Sequence, residues 1–143
     1  MRLTKTMFFM TALLLSCVLI GCGGGGGSAV DSTAPTITSA EMVPPEVSFP
    51  SGSVTVRTIA TDNSGISSVV LNVTNSLTGA VVPHTLTKTT GNIYEANITV
   101  SYTGVAPAEQ TYTFNVLVTD GAGNTKTQYA GRVVFQPELP PSL

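Results

Sequence analysis

Two short stretches hold the residues best suited to chemistry. In "ATDNSGISSV" (Ala60–Val69), Asp62 and Asn63 stand just before a glycine. In "VTDGAGNTKT" (Val118–Thr127), Asp120 and Asn124 bracket two more. Carboxylate and amide oxygens are hard ligands, and calcium gathers about 6–8 of them. If the two stretches lie side by side, Asp62, Asn63, Asp120 and Asn124 form an oxygen-rich cluster of the kind calcium takes. A second reading of the same residues is local: each Asp side chain accepts backbone N–H groups and fixes its own turn. Two carboxylates are few for a calcium site, and no complete EF-hand ligand set is present, so turn formation is the simpler role.

His84 is the single histidine. It has no nucleophile motif to serve: G-x-S-x-G, H-E-x-x-H, Walker A and C-x-x-C are all absent. It reads as a solvated histidine on an edge strand, and the chain reads as a non-enzyme. "GCGGGG" (Gly21–Gly26) matches the dinucleotide-binding spacing in form only, because no strand precedes it and no helix follows. Asn72-Val73-Thr74 and Asn97-Ile98-Thr99 are sequons, and they equally suit exposed strand positions.

The elements that must position these residues are strands. "SVTVRTIATD" sets Val54, Val56 and Ala60 against Thr55, Arg57 and Thr61. "SVVLNVTN" sets Val69, Leu71 and Val73 against Ser68, Asn72 and Thr74. "IYEANITV" sets Tyr94, Ala96, Ile98 and Val100 against Glu95, Asn97 and Thr99. "TYTFNVLVTD" sets Tyr112, Phe114, Val116 and Val118 against Thr113, Asn115 and Thr119. Period-two alternation of this regularity specifies half-buried strands. "PTITSAEMV" supplies a first strand and "TQYAGRVVF" a last, with a bulge expected at Ala130-Gly131. "VVPHTLTKT" is weaker, and Pro83 demotes it to an edge. Glycine- and proline-rich runs separate the strands, and no helical period follows Ser28.

The N-terminus follows a different logic. Met1–Thr6 is polar and basic, and Met7–Ile20 is almost wholly apolar, the order of a secretory signal. The apolar run is shorter than the ~20 residues of a spanning helix. Its end, Leu19-Ile20-Gly21-Cys22, resembles the lipobox of bacterial lipoproteins. That resemblance implies cleavage before Cys22 and lipid on its thiol, with enough acyl chains for stable anchoring. Cys17 would leave with the signal, so no disulfide is expected. Gly23–Gly27 and Ser28 form a flexible tether; from Cys22 to Ala34 its reach is ~20 Å. Gly rather than Asp at position 23 resembles lipoproteins sent to an outer membrane.

Composition excludes other roles. Charged residues are 10% of the chain, and the net charge is −2. Without Arg2 and Lys5, four basic residues face eight acidic ones, a net −4. No basic patch remains for nucleic acid or for electrostatic docking on anionic lipid.

"ATDNSGISSV" and "VTDGAGNTKT" resemble the B–C and F–G turns of bacterial immunoglobulin-like domains, a group overlapping fibronectin type III and cadherin-like sandwiches. "YTFNVLVTD" resembles their sixth strand, and Tyr112 stands at the position of their tyrosine corner. The resemblance spans about Ala34 to Phe135 and implies an all-β antiparallel sandwich of about seven strands. The expected organisation is a signal peptide over 1–21, a lipidated cysteine and linker over 22–34, a sandwich over 35–136 and a proline-rich tail over 137–143. In this fold the two Asp turns share one end, and the chain enters at that end. Asp62 and Asp120 would then face the membrane. The opposite end carries Phe49 and its neighbouring prolines as the candidate contact for an envelope protein or a glycan. A structural subunit of a larger surface assembly, or a calcium-dependent adhesion module, are the alternatives.

Overall fold

A computed structural model describes residues 30–105 and 108–136. The signal segment, Cys22, the glycine run and the 137–143 tail lie outside these residues. All regular structure among these residues is β. The strands are β1 (Thr36–Val43), β2 (Ser51–Thr61), β3 (Ile66–Asn75), β4 (Val81–Thr85), β5 (Thr87–Lys88), β6 (Ile93–Ser101), β7 (Gln110–Asp120) and β8 (Thr125–Phe135). They form two antiparallel sheets ordered β1-β2-β6-β5 and β4-β3-β7-β8.

The alternation decides which way each strand faces. Val54, Val56 and Ala60 of β2, Val69 and Leu71 of β3, and Phe114, Val116 and Val118 of β7 are all buried, and with Ile98, Val100, Val133 and Phe135 they fill the space between the sheets. Valine dominates because a β-branched side chain packs well on a pleated surface. Arg57 alternates outward and pairs with Glu41 (3.7 Å) and Glu95 (3.3 Å) on neighbouring strands.

Eight strands appear where the sequence predicts about seven, because the segment around Pro83 divides. β4 pairs with β3, the chain crosses to the other sheet at buried Leu86, and the two residues of β5 pair with β6. The expected bulge is present: the β7–β8 register skips Ala130 between Tyr129 and Gly131. Tyr112 forms the tyrosine corner, its hydroxyl donating to the Ser101 carbonyl at 2.8 Å.

Strand direction sorts the loops. The β2–β3 and β7–β8 turns and the entry to β1 lie at one end. The β1–β2 loop, the β3–β4 turn and the β6–β7 loop lie at the other. That second end is plugged by aromatics: Phe49 lies 5.3 Å from Tyr102 and 6.5 Å from Phe135, which in turn lies 6.2 Å from Tyr112.

Candidate metal centre

The two Asp turns meet because β3, which follows the Asp62 turn, pairs with β7 and sets Ile66 opposite Asp120. Asp62 closes β2 and its Oδ1 accepts the Ser64 N–H and hydroxyl, both at 2.8 Å. Gly65 follows with φ of 81°, a left-handed conformation that suits glycine, and donates to the Asp62 carbonyl. Asp120 closes β7; its Oδ1 accepts the N–H groups of Ala122 and Asn124, each at 2.8 Å. Both aspartates therefore hold their own turns, as the local reading predicts.

They also converge. One carboxylate oxygen from each of Asp31, Asp62 and Asp120 lies within 4.8 Å of the other two. Ligand oxygens on opposite sides of one calcium ion are separated by about 4.6–5.2 Å, so this spacing fits a common ion. Asn124 ties the group together: its Nδ2 donates to Asp120 Oδ2 (2.8 Å) and to the Asp31 carbonyl (3.1 Å). Of the residues expected from sequence, Asp62, Asp120 and Asn124 are in the cluster. Asn63 is exposed in the same turn.

Asp31 was not among the expected residues. It sits before β1, in a segment that reads as linker, and nothing local marks it. Its Oδ1 accepts the Thr33 N–H at 3.0 Å, while its Oδ2 is buried and has no hydrogen-bond partner. The signal that could have found it is topological: β1 starts beside the end of β2, with Thr36 opposite Thr61, so residues just before β1 must pass the Asp62 turn.

Electrostatics sharpen the case. Among the described residues the ion pairs are those of Arg57, at other positions, so no basic side chain neutralises the three carboxylates. The Asp31 carboxyl is held below its ordinary value chiefly by the Thr33 backbone N–H, helped by Asn63, Ser64 and Thr33 side chains. Asp120 is buried (1% exposed), and desolvation pushes its carboxyl up; the Asn124, Ala122 and Gly123 hydrogen bonds outweigh this and lower it. Three ionised carboxylates at this distance repel one another, and a divalent cation would relieve that repulsion.

The other expected positions fall elsewhere. His84 lies on the edge strand β4, as expected. It stands opposite buried Leu71 in the β3–β4 register, so it shares the core-facing side, and it is half-buried. Phe49 is 52% exposed at the far end from the acidic cluster.

Residues 26–137 match the family model described as "Bacterial Ig-like domain". The chain belongs to the bacterial Ig-like domain family. No curated protein matches it. The match covers every described strand of this Ig-like domain and both Asp turns, and it accounts for the two-sheet architecture. Ig-like sandwiches host many roles and are common in cell-surface proteins, so the fold leaves function to the sites and surfaces this chain presents.

Proposed function

We propose that the chain is a lipid-anchored bacterial envelope protein whose Ig-like domain works as a non-enzymatic binding or spacer module, touching another envelope protein or a glycan. The supporting observation is the polarity of the domain. Its entry end carries the three aspartates. Its opposite end exposes Val43, Phe49, Leu77, Val81 and Val105. A tether from lipid on Cys22 would reach the acidic end and leave the apolar end outermost, on an outer membrane where the envelope has two.

The test replaces Cys22. In intact cells the full chain incorporates labelled palmitate and partitions into detergent, and Cys22→Ser abolishes both. Crosslinking from position 49 then separates roles. A single stoichiometric partner identifies a subunit of a larger assembly, and several partners or a glycan identify a binding module. Retention of palmitate by Cys22→Ser overturns the anchoring.

A second reading is favoured by the buried, unpartnered Asp31 Oδ2 beside the Asp62 and Asp120 carboxylates. In it the module takes calcium, held by Asp31, Asp62 and Asp120 with amide oxygens of Asn63 and Asn124 nearby. Calorimetric titration of the full chain in detergent tests it; no heat with millimolar calcium removes it.

A further inference from the structure

The two long sides of the sandwich are unlike. On one, β1 and β8 lie against each other, with Gly131 packed on Met42. On the other, β5 is only two residues long and pairs with Tyr94 and Glu95 alone. From Ala96 to Ser101, β6 has no strand on its outer side among the described residues.

Hydrogen-bond parity shows what that edge presents. Asn92 and Tyr102 bond towards β2, through Ala60 and Pro50, whereas the Ile93 carbonyl accepts from Thr89 on the outer side. Main-chain groups alternate direction along a strand, so Asn97, Thr99 and Ser101 point theirs outward. The Ser101 carbonyl is taken by the Tyr112 hydroxyl. The N–H and C=O of Asn97 and Thr99 have no partner among the described residues.

The facing edge, β4, is closed by its sequence. Leu86 N–H and the Ala80 carbonyl bond towards β3, so Val81, Pro83 and Thr85 direct their main chains outward. The central one is proline, which has no N–H to offer.

Between the two edges lies a cleft of about 280 Å³ lined by Val73, Val82, His84, Ile98, Val100 and Tyr112. Val82 stands opposite buried Val73 in the register and so faces the core, yet it is 51% exposed. A core-facing valine is left open because the opposite sheet lacks a strand at that place. The lining holds no carboxylate and no ammonium group.

We propose that this edge binds an extended, uncharged segment of a partner polypeptide, which adds as a strand beside β6 and places an apolar side chain against Val82. Unpaired main-chain groups specify a strand, and alternate side-chain pockets specify its residues. A second copy is the poorer occupant. Two β6 edges would share only Asn97–Ser101, about 17 Å of strand, too short a ladder to bury by itself the ~800 Å² per partner of a stable interface. A single inserted strand instead contacts β6 on one side and β4 on another. The inference deepens the binding-module reading and is independent of lipid on Cys22 and of any cation.

The probe is a fluorescent peptide, acetyl-Gln-Thr-Val-Thr-Val-Thr-Gln-amide, titrated into the full chain in detergent. Its control is the same peptide N-methylated at alternate peptide nitrogens. Saturable binding is expected, with hydrogen exchange slowed at the Asn97 and Thr99 amides and at least tenfold weaker binding of the N-methylated peptide. Val82→Lys, at a half-exposed site that leaves folding intact, weakens the probe by at least tenfold. Thr99→Pro, which removes an outward N–H as Pro83 does on β4, has the same effect; its melt shows whether it folds, and Val82→Lys carries the test if it does not. No saturable binding up to about 1 mM, the weak limit for a specific contact, overturns the proposal. Equal binding of the N-methylated peptide, or indifference to Val82→Lys, does so too. Loss of anchoring in Cys22→Ser bears only on the earlier reading.

Discussion

Gly121 donates its backbone N–H to the Gly65 carbonyl at 2.9 Å, joining the two turns that carry Asp120 and Asp62. The contact demands the absence of a side chain, since a Cβ at position 121 would lie 2.5 Å from the Ser64 carbonyl oxygen. The neighbour is backbone and cannot swing aside. Gly121→Ala is therefore expected to destabilise the domain by about 1–3 kcal/mol, the usual cost of overpacking. Urea unfolding of the full chain in detergent checks it; an unchanged midpoint would show that the turns part freely.

Calcium provides a second check on the same end. At one hundred times the dissociation constant a ligand adds about 2.7 kcal/mol, a shift of several degrees in a melt. Asp62→Asn keeps a side-chain oxygen for the Ser64 N–H but removes one charge. It should melt like wild type in EDTA and lose most of the calcium shift. A full shift in Asp62→Asn would place the ion elsewhere.

Acid should weaken the domain through Asp31 and Asp120. Both carboxyls are lowered from 3.8 in the folded state, so the unfolded chain binds protons first as pH falls. Their stabilisation is present above the ordinary carboxylate value and is lost as pH drops below it through the lowered folded values. Denaturant midpoints in EDTA should be flat from pH 7 to about 5 and fall below about 4. A midpoint rising in acid would mean that mutual repulsion among the carboxylates dominates their hydrogen bonds.

Tyr112→Phe removes the 2.8 Å bond to the Ser101 carbonyl and the weaker one from Asn75 at 3.4 Å, leaving the ring on Phe135. The expected loss is about 1 kcal/mol, that of one net hydrogen bond. Chemical unfolding of the variant reads it, with the slope against denaturant unchanged.

The strands were legible because their residues alternate: Val54, Val56 and Ala60 face one way by period alone, and the structure buries all three. Asp62 and Asp120 were legible as a pair because the resemblance put both turns at one end. Asp31 was not, since its place depends on where β1 meets β2 rather than on its neighbours in sequence. The side His84 takes was hidden for a related reason. Pro83 correctly marked an edge strand, but only the pairing with Leu71 shows which side of that strand the imidazole takes. The division into β4 and β5 was hidden because the crossover rests on one buried residue, Leu86.

The chain enters β1 at the acidic end and leaves β8 at the aromatic end. A pull applied between those points runs parallel to the strands, over about 35 Å at ~3.4 Å per residue. Such a load shears the β1–β2 ladder, whose register runs from Thr36–Thr61 to Val43–Thr55, so its hydrogen bonds must yield together rather than unzip singly. Tension between its two ends would therefore meet the strands in shear, the direction in which a ladder resists most.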